Sequence, residues 1–316
     1  MALLFVACSE TDDITPPVSP DSDLPIELYV EGWKPMMNTR ALIDDMNVDF
    51  KIYGYKSTNA TDVSPVFMNQ LVRYSTNGWT YSPTKYWDRT ADYYFGAYAP
   101  ANLSDKFTVT HVTTNDNHNC LSFTLPQWQD ADKGDDLITA TSKGSATAYL
   151  TNGKGVELNF SHTFGYLEIQ LKKGEELPNT YTLTNLTCHN VPSSVNPATY
   201  TLDYTAGTST LSTITAKSEY MVCNTSTVIE ETSTNFSHLV VPFTSEAITL
   251  SLTYTTTSLD GNTFTYTREV DPQLTEIEVG KKYTLTLTFV GGADIKPEIS
   301  IAQWNDVPID NPIYNW

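Results

Sequence analysis

The sequence predicts an all-β protein with two tandem β-sandwich domains, because apolar and polar residues alternate with a period of two along many short segments. Such alternation gives each strand one buried face and one wet face, as in antiparallel sheets. Turn-forming residue pairs separate the segments, and no segment shows a convincing helical period. The clearest alternating sets are Val156, Leu158 and Phe160; Leu167, Ile169 and Leu171; Ile248, Leu250, Leu252 and Tyr254; and Leu285, Leu287 and Phe289. The turn pairs are Asn77-Gly78, Asn152-Gly153, Asp260-Gly261 and Gly291-Gly292.

Length and composition support this interpretation. The chain has 316 residues, and its 40% of hydrophobic residues is enough for packed cores. Only 17% of the residues are charged, so Thr, Ser and Asn must supply most of the polar surface, which suits strands. The net charge of −19 argues against a nucleic-acid partner, because binding a phosphate backbone needs a basic surface.

The N-terminus is apolar up to Cys8 and then turns polar at Ser9. This arrangement resembles the lipobox of bacterial lipoproteins, which implies that Cys8 carries lipid and becomes the first residue of the mature protein. The segment is shorter than a complete signal peptide. The alternative is an apolar N-terminus with a buried cysteine. Residues 1–25 are interpreted as a signal remnant followed by an extended, proline-rich tether.

The rest of the chain is predicted to divide into a first domain, residues 26–150, and a second domain, residues 151–316. Glycine-containing segments at 143–145 and 152–155 mark the boundary. The second domain is predicted to begin with the strand at Val156. The strands predicted for the first domain lie around Val48–Tyr55, Tyr93–Ala99, Phe107–Val112 and Leu121–Leu125.

Three cysteines remain after Cys8, namely Cys120, Cys188 and Cys223. An odd number cannot pair completely within one chain. Cys188 and Cys223 can form a disulfide, or each can be a small buried apolar residue, which we favour. The sequence has no Cys-x-x-Cys pattern, so no zinc site is expected.

Motifs of the common catalytic classes are absent from the sequence. It has no Gly-x-Ser-x-Gly elbow, no His-Glu-x-x-His and no Walker loop, and its five histidines are scattered. We therefore expect neither enzymatic activity nor a cofactor.

Four aspartates around Gly134 form a weak candidate for a calcium site, because alternating oxygens beside a glycine turn can wrap a hard cation. Thr141 stands where a calcium loop places its bidentate Glu. A solvated acidic turn is the favoured interpretation. The four residues are Asp130, Asp132, Asp135 and Asp136.

Aromatic residues cluster around one predicted hairpin, at Trp79, Tyr81, Tyr86 and Trp87. If they are exposed, they form a platform on which a host glycan can stack. If they are buried, they fill the core between two sheets, which we favour.

Four segments carry a resemblance to a known family. They are Asn38–Ala41; Tyr86–Asp88 with Tyr94–Pro100; Asn159–Phe164, which contains a Phe-x-His step; and Val279–Leu285, a Gly-Lys-x-Tyr strand followed by Trp304. In this order and spacing they resemble the fimbrillin family, specifically its minor-fimbrillin-like (Mfa-like) branch. Asp88 stands where the family has Pro.

The resemblance implies two transthyretin-like β-sandwich domains and a role as a structural or adhesive component of type V fimbriae. It also implies export as a lipoprotein to the surface of the outer membrane. Subunits of this family assemble with other subunits when proteolysis removes a strand and a neighbour donates a replacement. The alternative is a non-polymerising, lipid-anchored adhesin or carbohydrate-binding protein with a host glycan or protein as partner.

Mapped onto this chain, the resemblance places the cleavage between Arg40 and Ala41 and the removable strand within Leu24–Trp33. Ile26, Leu28 and Val30 alternate with polar residues there, as a strand that fills a core should. The alternative is that Arg40 is only an exposed loop residue.

The candidate donor strand lies near the C-terminus. Pro308 and Pro312 interrupt the tail and remove hydrogen-bond donors, so a long donor strand there is in doubt. The segment Ile299–Trp304 is better strand material, but it can equally belong to the second domain. The apolar candidates are Ile299, Ile301, Val307, Ile309 and Ile313.

Overall fold

The computed structural model describes residues 24–30, 48–59, 62–75, 78–126, 128–131, 134–151, 155–192, 197–212, 217–291 and 294–304. These residues form strands almost throughout, which confirms the all-β class. The strands are β1 (Leu28–Tyr29), β2 (Phe50–Asn59), β3 (Asp62–Ser75), β4 (Gly78–Thr80), β5 (Asp92–Ala99), β6 (Thr108–Thr113), β7 (Asn119–Leu125), β8 (Trp128–Asp130), β9 (Ile138–Ser145), β10 (Val156–Glu157), β11 (Ser161–His162), β12 (Gly165–Lys173), β13 (Thr180–Pro192), β14 (Ala198–Asp203), β15 (Thr208–Leu211), β16 (Lys217–Cys223), β17 (Thr227–Ile229), β18 (Thr234–Val240), β19 (Phe243–Thr257), β20 (Thr263–Ile277), β21 (Lys281–Gly291) and β22 (Asp294–Gln303).

A six-stranded sheet in the order β11-β9-β5-β2-β3-β4 forms the centre of the first half of the chain. Its strands β2 and β5 pair antiparallel and correspond to two of the predicted strands. Phe50 and Ile52 face one side of the sheet, whereas Tyr53 faces the other. Residues 95–99 of β5 are all buried. The sheet is therefore covered on both faces rather than wet on one.

Three short segments cover the first face of this sheet. They are residues 24–30, which we call the plug segment, residues 84–87, and residues 155–160 that include β10. Their apolar side chains and those of the sheet form the first core, even though residues 155–160 follow the boundary predicted after residue 150. The buried members from these three segments are Ile26, Leu28, Trp87, Val156, Leu158 and Phe160.

A four-stranded sheet, β15-β14-β7-β6, covers the second face and encloses a middle core. Its central pair joins β7 to β14 antiparallel, with Leu121 opposite Leu202. Tyr204 approaches the central sheet so closely that a Cβ at Gly96 would lie 2.6 Å from the tyrosine ring. This close approach explains why position 96 lacks a side chain.

The second sandwich packs the sheet β22-β21-β12-β18-β8 against the sheet β16-β13-β19-β20, with β17 paired to β13. The predicted alternation is confirmed in β12, β19 and β21, whose inward residues form the third core. Cys188 and Cys223 are buried in this core without a disulfide, as favoured from the sequence, and Cys120 is also free and buried.

A short helix of about one and a half turns, α1 (Ala146–Thr151), lies where the sequence predicted only the boundary between the two domains. The Ser145 hydroxyl accepts a hydrogen bond from the Ala148 N–H at 3.1 Å and thereby caps its N-terminus. Tyr149 of this helix stacks on Trp87, with ring centroids 5.1 Å apart. Within the described ranges, helices long and apolar enough to cross a membrane are absent.

The pH dependence of stability should follow His238, which is buried against Trp128 and Tyr220. Burial, opposed weakly by Asp130, lowers the pKa of His238 from 6.5 to about 4. Between these values the unfolded chain binds a proton that the folded chain excludes, so stability is complete above pH 6.5 and falls towards pH 4. The loss amounts to about 3 kcal/mol.

In His238→Phe the aromatic packing is retained and the titration is removed. Urea unfolding at pH 7 and pH 4.5 should show the wild-type free energy of unfolding falling by about 2–3 kcal/mol more than that of the variant. An equal fall in both proteins would contradict the assignment.

Candidate functional site

The plug segment lies on the first face of the central sheet and forms part of the first core, and we call this sheet with its covering segments the first sandwich. Ile26 and Leu28 are only 1% and 7% exposed, and Val30 packs half-buried against the same core. Glu27, between them, is exposed. Residues 24–30 of the predicted removable strand therefore contribute to the core as alternation requires, while its last three residues lie outside the described ranges.

The plug segment forms hydrogen bonds along both edges. On one edge the Ile26 N–H donates to the Lys85 carbonyl at 2.8 Å, and the Trp87 N–H donates to the Leu24 carbonyl at 3.0 Å. On the other edge the Val156 N–H donates to the Glu27 carbonyl at 2.8 Å, and the Leu158 N–H donates to the Tyr29 carbonyl at 3.0 Å. Removing the segment would unpair both neighbours at once.

A tyrosine hydroxyl supplements these backbone bonds. The Tyr81 hydroxyl donates to the Ile26 carbonyl at 2.6 Å. Burial raises the pKa of Tyr81 above its ordinary value of 10, at which the hydroxyl already keeps its proton at neutral pH. The sequence grouped Tyr81 with a possible aromatic platform and gave no sign of this contact.

Gly155 lets the chain approach the plug segment closely. Its φ is +64°, and a Cβ there would lie 2.5 Å from the Glu27 carbonyl oxygen. Any side chain at this position would be strained by its own backbone and would press against the plug segment.

Open grooves flank the plug segment. A cavity of about 570 Å³ lies between Leu28 and Tyr29 on one side and Trp79, Thr80 and Tyr81 on the other. A second cavity, of about 540 Å³, lies on the opposite flank and is lined by Tyr29, Tyr149 and Glu157 among others. The core-facing side chains are therefore enclosed, whereas the flanks adjoin solvent.

A second feature, which we call the C-terminal anchor, consists of Asp136, His162, Gly280 and Trp304. Trp304 is 1% exposed, and its ring stacks on His162 with centroids 3.6 Å apart and planes within 6°. At the edge of the same imidazole, the Asp136 carboxylate lies 2.9 Å from His162 Nδ1. The Trp304 N–H donates to the Gly280 carbonyl at 2.8 Å. Two segments that carried the family resemblance thus meet at one point.

The predicted donor residues fall into two groups. Ile299 and Ile301 lie in β22, which pairs antiparallel with β21 through the pairs Leu285–Ile299 and Tyr283–Ile301. Ile299 packs on the third core, whereas Ile301 is 55% exposed. This segment therefore belongs to the second sandwich. The remaining predicted site residues, Cys8, Arg40, Ala41, Val307, Ile309 and Ile313, lie outside the described ranges.

The candidate calcium aspartates have other partners. Asp136 bonds to the buried His162, a contact that spacing in the sequence did not suggest. Asp135 accepts a hydrogen bond from the Ser104 N–H at 2.7 Å. Asp132 lies outside the described ranges. Among the residues that are described, three or more His, Cys, Asp or Glu side chains do not meet anywhere as a metal site.

The aromatic cluster divides between core and surface. Trp87 is buried and Trp79 is half-buried, while Tyr86 is 52% exposed. Trp79 lies 5.3 Å from Tyr74, measured between ring centroids. The core interpretation holds for Trp87 but not for Tyr86.

Comparison with known proteins gives a consistent result. A family profile described as fimbrillin-like matches residues 39–304. A fimbrial protein from Bacteroides vulgatus ATCC 8482 has a similar crystal structure, with a TM-score of 0.61 and 17% identity over 89% of this chain and 99% of that one. This likeness shows a shared fold. Among curated proteins, none is significantly similar in sequence.

Two further solved structures resemble the chain more distantly. A candidate cell adhesion protein from Bacteroides uniformis ATCC 8492 has a TM-score of 0.49 and 19% identity over 91% of this chain and 99% of that one. The fimbrial anchor protein Mfa2 from Porphyromonas gingivalis has a TM-score of 0.38 and 12% identity over 89% of this chain and 98% of that one.

Gly155→Ala should loosen the plug segment selectively. The matched control is Gly261→Ala, because Gly261 also has a positive φ, of +84°, but has nothing within 4 Å of its Cβ position. Both variants carry the backbone strain, and only the first presses on Glu27. Hydrogen exchange should be about tenfold faster at the Val156 and Leu158 amides in Gly155→Ala than in the control. Equal rates would show that the plug segment does not depend on this approach.

Proposed function

The chain belongs to the fimbrillin-like family, and on that premise we propose that it is a fimbrial subunit that assembles by exchanging its plug segment for a strand of another subunit. The observation that carries this proposal is the double hydrogen bonding of residues 24–30 inside the first core. A vacated slot would expose apolar side chains and unpaired backbone groups. An incoming strand satisfies both.

The proposed release step is cleavage between Arg40 and Ala41. This bond lies in sequence between the plug segment and β2, so cutting it detaches residues up to Arg40 from the rest of the sandwich. Without a covalent link, the plug segment is held only by its noncovalent contacts. The segment can then dissociate reversibly, and another strand that binds the vacated slot shifts the equilibrium towards dissociation.

The proposed donor is the tail after Trp304, because β22 is already paired with β21. In an extended tail, Val307, Ile309 and Ile313 share one face, as a core-filling strand needs. Prolines at 308 and 312 lack N–H groups but keep their carbonyls. At the slot, the Val156 and Leu158 N–H groups require acceptors, which a proline-containing strand can still provide.

The proposed location is the cell surface. We place the lipid on Cys8, with the proline-rich residues that follow serving as a tether to the outer membrane. The partners are other fimbrial subunits. A structural role of this kind needs no catalytic residues and no cofactor.

Limited digestion with an Arg-specific protease tests the proposal. A brief digest of the folded protein should yield a chain that begins at Ala41, which mass spectrometry identifies. This chain should then form ordered polymers, which electron microscopy shows. The matched control lacks residues 305–316 and keeps the buried Trp304. It should be cut equally at Arg40 yet stay a folded monomer.

Two results would count against the assembly mechanism. One is an intact Arg40–Ala41 bond while exposed sites such as Arg73 are cut. The other is ordered fibres from the protein without residues 305–316. In Arg40→Ala, cleavage and polymers should both be absent.

A second candidate function is glycan binding in the cavity of about 570 Å³ beside the plug segment. The aromatic residues Tyr29, Trp79 and Tyr81 line it together with Glu27 and Thr80. Rings offer apolar faces to sugar C–H groups, and carboxylates and hydroxyls pair with sugar hydroxyls. This combination favours a carbohydrate over a purely apolar ligand.

Trp79→Ala should weaken glycan binding about tenfold, because the largest stacking surface of the cavity is lost. Binding is measured on a glycan array and then by calorimetry with the best glycan. Tyr86→Ala is the control, since Tyr86 is an exposed aromatic that does not line the cavity. Equal binding by wild type and Trp79→Ala, or no binding by either, would rule this function out for the cavity.

A further inference from the structure

We propose that residues 155–164 couple the plug segment to the C-terminal anchor, so that losing the plug segment loosens Trp304, the residue that precedes the proposed donor tail. The coupling itself is a property of this fold. Its use in assembly rests on the proposed function, in which the tail is the donor strand.

The first link joins the plug segment to residues 155–160. The Val156 and Leu158 amides donate to plug carbonyls, and Val156, Leu158 and Phe160 pack with Ile26 and Leu28 in the first core. When the plug segment leaves, the Val156 and Leu158 amides lose their acceptors. The side chains of Val156, Leu158 and Phe160 lose their packing against Ile26 and Leu28. Residues 155–160 therefore have fewer contacts to hold them in place.

The second link is the chain itself. Only Ser161 separates Phe160 from His162, and both Ser161 and His162 lie in β11. This strand is two residues long and lies at the end of the central sheet, where β9 is its one partner among the described strands. β11 contributes few hydrogen bonds of its own against a shift of the residues before it, so the Thr163 N–H and hydroxyl, which both donate to the Leu137 carbonyl, are the next bonds that such a shift must strain.

The third link joins His162 to the root of the tail. The face of the imidazole stacks on the Trp304 ring, with centroids 3.6 Å apart, and its Nδ1 lies 2.9 Å from the Asp136 carboxylate. All three side chains are buried. If His162 moves, Asp136 becomes a buried carboxylate without this partner and Trp304 loses its stacking surface. The lost stacking surface favours release of Trp304 from the anchor, whereas the cost of leaving Asp136 without His162 opposes the movement and limits how far the anchor loosens.

Coupling of this kind is reciprocal. If the plug segment stabilises the anchor, then the anchor stabilises the plug segment by the same free energy. The inference can therefore be tested from either end, and both directions must agree.

The experiment measures hydrogen exchange, by mass spectrometry with NMR where amides resolve, in the full-length chain. Trp304→Ala perturbs the anchor, and Phe289→Ala is the control because Phe289 is an equally buried aromatic that packs on Tyr181 and Tyr254 in the third core. Relative to the control, Trp304→Ala should speed exchange about tenfold at the Ile26, Val156 and Leu158 amides.

The reverse direction uses the glycine pair already described. Gly155→Ala should speed exchange at the Trp304 amide relative to Gly261→Ala, although the altered residue contacts the plug segment and not the anchor. If Trp304→Ala does not fold, His162→Gln replaces it, since this change removes the stacking surface and leaves Trp304 in place.

The outcomes separate the coupling from the assembly mechanism. Faster exchange confined to the perturbed end, or a uniform acceleration equal to that of the control, would overturn the coupling and leave strand exchange untouched. Reciprocal acceleration in protein that never polymerises after cleavage would uphold the coupling and refute the proposed function.

Discussion

Backbone hydrogen bonding by residues 24–30 is the interaction on which the first sandwich depends. These residues pair with the segments on both sides of them, which in the described part of the chain have no other strand at these positions, and their side chains complete a core built on the central sheet. Buried backbone groups must be paired, so the slot is stable only when some strand occupies it. Occupancy by the chain's own N-terminal residues therefore makes the folded monomer possible and also defines the shape that a replacement must have.

The residues behind the family resemblance have a physical explanation in this arrangement. Phe160 fills the first core, His162 stacks on Trp304, and Gly280 accepts the hydrogen bond from the Trp304 amide. Phe160 and His162 lie far in sequence from Gly280 and Trp304, because the four residues belong to separate layers: the segments that cover the central sheet, the edge of that sheet, and the ends of β21 and β22. Their shared function is to hold those layers together at a single point.

The sequence predicted best those strands that have one wet face. In β12, β19 and β21 the period of two is clear because polar residues are free to occupy the outer face. In β5 the pattern is obscured, since residues 95–99 are buried from both sides. For the plug segment, the family resemblance and a short alternation together predicted that Ile26, Leu28 and Val30 face the core. The Asp136–His162 contact, the close approach at Gly155 and helix α1 were not predicted, because each depends on neighbours that are distant in the chain or on one local cap.

The pairing of β7 with β14 has a consequence for how the protein is made. Residues 119–125 find their partner only at residues 198–203, so a chain that emerges N-terminus first carries an open sheet edge until the later segment follows. Such distant pairing slows closure of the native structure. It also means that the first half of the chain should not fold alone, because β14, which covers the middle core, begins more than seventy residues after β7 ends.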